Sequence, residues 1–167
     1  MHQLEAPTAA SKQAMYRTLK AQLAALFAKE RDGIANSANA ASVLFHQLPD
    51  LNWVGFYFLK GNELVLGPFQ GQAACVRIAL GAGVCGTAAA QRVSVVVPDV
   101  HAFAGHIACD PASRSEIVVP LVDAGRLLGV LDLDSPSDAR FDEEDRTGLE
   151  ALAALLVSCS DLDRCTA

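Results

Sequence analysis

Apolar residues recur at helical spacing from Met15 through Leu19, Leu23 and Leu26, and Ser11 stands where it can cap the first turn. Asp32-Gly33 breaks this pattern. A second helix is predicted with Ile34, Ala38, Ala41, Phe45 and Leu48 on its inner face, ended by Pro49-Asp50. From Trp53 the period changes to two. Strands are predicted over Trp53–Leu59 and Glu63–Phe69, flanking a Lys60-Gly61-Asn62 turn, and over Val76–Leu80. Gly81, Gly83 and Gly86 bracket a turn that opens a short helix through Ala88-Ala89-Ala90. A fourth strand, Ser94–Val97, stops at Pro98.

Asp99 to Arg114 has no periodicity and reads as one long ordered loop, a length that in compact domains tends to accompany function. Strands over Ser115–Val122 and Arg126–Leu133 follow, joined by Asp123-Ala124-Gly125. Asp142 and Asp145 then open a last helix with Leu149, Leu152, Ala153 and Leu156 inward. The expected fold is α+β, one domain over residues 1–167: N-terminal helices over 11–48, sheet and loops over 51–136, a C-terminal helix over 142–163. Hairpin connections imply an antiparallel sheet of about six strands with helices packed on it.

Composition narrows the function classes. The 167 residues include 13 basic and 19 acidic side chains, a net charge of −6 that disfavours a nucleic-acid backbone as partner. No basic segment precedes an apolar one near the start, and the apolar runs are short and Gly-broken. A cytoplasmic protein without membrane attachment is expected. The five cysteines are Cys75, Cys85, Cys109, Cys159 and Cys165. Their odd number argues against a disulfide framework, and without C-x-x-C pairs or finger-spaced histidines no structural metal site is expected. Redox or nucleophilic chemistry remains, beside plain burial. Cys159 reads as helix packing and Cys165 as an exposed tail thiol.

Geometry points to the last hairpin. A three-residue loop closed by Gly125 pairs Val122 with Arg126, and six residues outward Glu116 faces Asp132. Asp134, two residues along, shares that face. Three crowded carboxylates cannot all stay ionised cheaply, so a proton is expected among them near neutrality. On the first strand Trp53, Gly55 and Tyr57 share a face opposite Val54, Phe56 and Phe58, which leaves room above Gly55 for a ligand. The Gly81-Ala82-Gly83 turn could offer backbone N–H groups to a carboxylate. His101 and His106 read as loop-holding residues rather than proton carriers.

These segments together resemble the free methionine-R-sulfoxide reductases, which are GAF-domain proteins. The resemblance is carried by Trp53-Val54-Gly55-Phe56-Tyr57, LVLGPFQGQAACVRI ending at Ile78, GAGVCGTAA ending at Ala89, DVHAFAGHIACD ending at Asp110, SEIVVPL over Ser115–Leu121 and GVLDLDSP over Gly129–Pro136. It spans roughly Leu51 to Pro136. Two loop positions depart from the family's habit: Ala104 where Pro is common and Pro111 where Ala is common.

The resemblance implies that Cys109 attacks the sulfoxide, that Cys75 resolves, and that Cys85 is a third thiol open to disulfide exchange. It implies an acidic pocket of Glu116, Asp132 and Asp134 walled by Trp53 and Tyr57. It further implies thioredoxin as reductant and a homodimer, with no metal or organic cofactor. Thiolate attack at sulfur would pass oxygen to the cysteine as a sulfenic acid, with one of the three acids as proton donor and a second thiol closing a disulfide. The competing reading is a non-catalytic GAF small-ligand or redox sensor module, because the fold hosts many ligands.

Overall fold

A computed structural model describes residues 11–107 and 110–166. Helix α1 spans Lys12–Phe27 with Ser11 as its cap, and α2 spans Gly33–Gln47 behind Asp32, whose side chain accepts from the Ala35 amide. Strands β1 (Trp53–Lys60), β2 (Glu63–Gly71) and β3 (Arg77–Ala79) precede helix α3 (Gly83–Gln91). Strand β4 (Val95–Val97) leads to a 3-10 turn over Val100–Ala102, then β5 (Ser115–Asp123), β6 (Arg126–Ser135) and α4 (Glu143–Cys159). One sheet results, ordered β3-β2-β1-β6-β5-β4, and every neighbouring pair is antiparallel. The α+β expectation and the sheet of six strands hold.

Both sheet faces are covered. Val54, Phe56 and Phe58 of β1, with Ile117, Val119, Leu131 and Leu133, pack under α1, α2 and α4 in the main core. Trp53, Tyr57, Val118 and Val130 belong to a second cluster with Val84, Cys85 and Ala88 of α3. β1 therefore sends alternate side chains into two different cores, as its period of two requires. Helix α4 opens with a capping box: Asp142 accepts from the Asp145 amide, and the Asp145 side chain accepts from the Asp142 amide. Asp145 also accepts from Tyr16 Oη at 2.8 Å and Arg140 Nη1 at 3.1 Å, fixing α4 to α1.

Three local expectations need correction. The inner face of α2 is Asn36, Ser37, Ala40, Ala41, Val43 and Leu44, while Ile34 is 49% exposed and Ala38 points to solvent. Small side chains let α2 lie close to the sheet, and the Asn36 amide nitrogen is held there by donating to Ser160 Oγ and the Glu30 carbonyl. Apolar spacing alone gives no sign of this. Second, α4 ends at Cys159, and a 3-10 turn over Leu162–Cys165 folds back onto α2. That turn buries Cys165 in the main core, so it is not an exposed tail thiol. Third, the predicted Lys60-Gly61-Asn62 turn is tighter, since Lys60 pairs with Glu63 and only two residues form the loop.

The β5–β6 hairpin decides where the acids go. Its loop is the two residues Ala124 and Gly125, both at positive φ (45° and 81°), as a type I′ turn demands. Asp123 thus pairs with Arg126 and Val122 with Leu127, and a bulge then brings Leu121 opposite Gly129. Beyond it Glu116 faces Asp134, and Val118 faces Asp132. The expected Glu116–Asp132 pairing is off by two. Without the bulge the register would slip by one, setting Glu116 opposite Leu133 and turning it away from both aspartates. The bulge keeps all three acids on one face.

Candidate active site

On that face the acids meet β1 and α3. Trp53 pairs with Asp134 and Gly55 with Asp132 across β1–β6, so aromatic wall and acids lie side by side. A cavity there is lined by Trp53, Tyr57, Cys85, Glu116, Asp132 and Asp134, with Gln72–Ala74 above and Ala82–Val84 at one end. Glu116 and Asp132 are buried, at 6% and 7% exposure. The Gly83 turn expected to face a ligand does border the cavity.

Trp53 is placed differently from expectation. Its ring folds back over Gly55, where a Cβ would sit 2.3 Å from Cη2, and it stacks between Tyr57 and Phe69. The missing side chain at Gly55 accommodates the indole, not a ligand. The polar tips of the two aromatics then hold the β2–β3 connection: Trp53 Nε1 donates to the Gln72 carbonyl at 3.0 Å and Tyr57 Oη to the Cys75 carbonyl at 3.0 Å. This anchors half-buried Cys75 beside the cavity. Cys75 is disulfide-bonded, whereas Cys85, Cys159 and Cys165 are free. Cys109 lies outside the described residues.

The electrostatics favour protons over charges. Burial raises the Glu116 carboxyl well above the usual range, reinforced by Asp134. Asp132 is raised by burial and then by Glu116. Asp134 is raised by burial and Asp132, with a Ser113 hydrogen bond pulling the other way. The Cys85 thiol, whose Sγ donates to Asp132 Oδ2 at 3.2 Å, is pushed up by burial and by the Asp132 and Glu116 charges. Asp132 shares a hydrogen bond with the Glu116 carboxyl, and among the described residues no N–H or hydroxyl group donates to its buried Oδ1. A cationic guest would relieve this whole set at once.

His106 was expected only to hold its loop, but its Nε2 lies 3.5 Å from Glu116 Oε2 and it lines the cavity. By distance this is an ion pair. Its charge is weakened on both sides, because burial lowers the His106 pKa and raises that of Glu116. His101 is exposed and stays outside the cavity. Asn52, which the sequence reading missed, donates from Nδ2 to Asp110 Oδ2 at 2.9 Å and Ser113 Oγ at 3.0 Å. Asp110 also accepts from the Ala112 amide. The return of the long loop is thereby tied to the start of β1. Short polar side chains in loops carry no periodic signal, which is why these residues are invisible in the sequence.

Residues 12–158 match the GAF domain family. The chain is 51% identical over 146 residues to the free methionine-R-sulfoxide reductase of Escherichia coli, covering 87% of this chain and 88% of that protein. The structure of the free methionine-R-sulfoxide reductase from Neisseria meningitidis, in complex with its substrate, superposes with a TM-score of 0.92. Sequence identity to it is 48%, with 98% of each chain covered. A Burkholderia vietnamiensis protein described as a GAF sensor is also similar, at 61% identity and a TM-score of 0.88 over 90% of this chain and 96% of that one. With its acid-lined cavity, its sheet order and these likenesses, the chain belongs to the free methionine-R-sulfoxide reductase family of GAF-domain proteins.

Proposed function

We propose that this protein reduces free L-methionine-(R)-sulfoxide to methionine, with Cys109 as the attacking thiolate. What supports this above all is the convergence of buried Glu116 and Asp132 with half-buried Asp134 beside Trp53 and Tyr57. A free amino acid carries an ammonium group that buried carboxylates can pair with, and a peptide-bound methionine sulfoxide lacks it. Asp132 Oδ1, buried and without an N–H or hydroxyl donor among the described residues, is the natural acceptor. The sulfur-borne methyl group rests against Trp53, and the substrate carboxylate meets the backbone N–H groups at Gly83.

The Cys109 thiolate attacks the sulfoxide sulfur while a protonated carboxyl of the acid cluster gives its proton to the oxygen. Oxygen passes to Cys109 as a sulfenic acid and methionine leaves. The Cys75 thiol then condenses with the sulfenic acid, forming a disulfide and releasing water. Thioredoxin, supplying two electrons by thiol exchange, restores both thiols in the cytoplasm. Cys85 is the slower candidate for exchange, since burial against carboxylates disfavours its thiolate.

The test is a coupled assay with free methionine-R-sulfoxide, thioredoxin, thioredoxin reductase and NADPH. NADPH is consumed by the wild type and not by Cys109→Ser. Cys75→Ser releases about one methionine per enzyme in a single turnover and then stops, because resolution follows chemistry. No turnover by the wild type would leave the GAF sensor reading instead.

A further inference from the structure

We propose that the same cavity, in the reduced and substrate-free protein, binds one zinc ion through Cys85, Glu116 and Asp132. These three residues come from α3, β5 and β6, so nothing in their sequence spacing announces a ligand set. The fold brings one ligand atom of each within 4.8 Å of the others, and all three residues are buried. Tetrahedral zinc with bonds near 2.0–2.3 Å needs its ligand atoms about 3.3–3.8 Å apart. The Cys85 Sγ to Asp132 Oδ2 separation, 3.2 Å, is already close to that. Side-chain shifts of about an ångström close the remainder.

A second observation points to a guest. Asp132 is 7% exposed, yet among the described residues no N–H or hydroxyl group donates to its Oδ1, and the Glu116 carboxyl is its close polar neighbour. A buried carboxylate oxygen without a donor is costly, and a metal ion or an ammonium group removes the cost. The donor set chooses between metals. A sulfur beside two carboxylates suits zinc or cobalt(II), whereas calcium and magnesium call for six or more oxygens or an octahedral water shell. On binding, the Cys85 thiol gives its proton to solvent and ligates as thiolate. Water takes the fourth position.

Zinc and the substrate ammonium would contend for the same oxygens, so zinc acts as an inhibitor competitive with the sulfoxide. That consequence rests on the reductase reading, but the binding does not. Cobalt(II) titrated into the full chain, reduced and freed of reductant, reports it directly. The expected result is a near-ultraviolet thiolate-to-cobalt absorption band that saturates at one equivalent and is erased by one equivalent of zinc. Cys85→Ser removes the band, Asp132→Asn weakens zinc binding at least tenfold, and Cys75→Ser and Cys109→Ser keep both, with circular dichroism confirming each variant's fold. No band, or a band that survives Cys85→Ser or is unaffected by Asp132→Asn, overturns the proposal. Methionine formation by the metal-free wild type is read separately: its absence counts against the reductase reading alone, and lack of zinc inhibition in an active, zinc-binding enzyme counts against the shared site.

Discussion

At the scale of single residues, the site stores its chemistry in groups held away from their ordinary protonation. Glu116, Asp132 and Asp134 are each raised by burial and by one another. A carboxyl raised in the folded state binds more protons there than in the unfolded chain. Stability contributed by those protons is therefore full below the unfolded carboxylate pKa of about 4 and is lost as pH rises toward the folded values. Thermal unfolding of the wild type should show the midpoint falling as pH rises from about 5 to about 8, and Asp132→Asn should flatten that slope. At pH 8 this variant should unfold about 2–6 °C higher than wild type while losing activity, a trade of stability for function. A steeper slope in Asp132→Asn would contradict the assignment. Tyr57 offers a separate check, because its hydroxyl holds the Cys75 carbonyl. Tyr57→Phe should leave single-turnover methionine release nearly intact and slow steady-state turnover several-fold, with faster turnover or a lost first step counting against a positioning role.

At the scale of elements, the β5–β6 hairpin carries most of the design. The sequence made legible that Glu116, Asp132 and Asp134 share a face, but not their register, because a turn of two residues plus a bulge and a turn of three differ by an even number of positions. Face survives such an error and pairing does not. Ala124 sits at φ 45°, which a type I′ turn requires and an alanine resists. Ala124→Asn should therefore stabilise by about 0.5–1 kcal/mol in urea unfolding at unchanged activity. A loss of stability would mean the turn is not of this type. The opposite lesson comes from α2, whose true inner face includes Asn36 and Ser37. Hydrophobic spacing correctly placed Phe45 against the main core but also favoured Ile34, which is exposed, because polar residues buried by the tertiary fold look exposed in the sequence.

At the scale of the whole molecule, one sheet separates a structural side from a chemical side. Helices α1, α2 and α4 build the main core on one face, and the cavity lies on the other with α3. Changes on the structural side should cost stability before chemistry. Asp145 is fully buried and joins Lys12, Tyr16 and Arg140. Asp145→Ala leaves the nearly buried Arg140 without its partner and should cost about 3–5 kcal/mol by denaturant unfolding, with kcat/KM near wild type where the variant is folded. Strand alternation and the Gly-bounded loops were readable because each follows from local backbone chemistry. His106, Asn52 and Ser113 were not, since only the closed fold brings His106 and Ser113 to the cavity and ties Asn52 to Asp110 and Ser113.

The most direct measurement compares free methionine-(R)-sulfoxide with its N-acetyl derivative, which differs in losing the ammonium charge. If buried carboxylates recognise that charge, kcat/KM for the acetylated compound should fall by about a hundredfold or more, as for a buried charge pair deprived of one partner. Equal rates on the two substrates would contradict the account, because the acid cluster would then have no part in choosing the free amino acid.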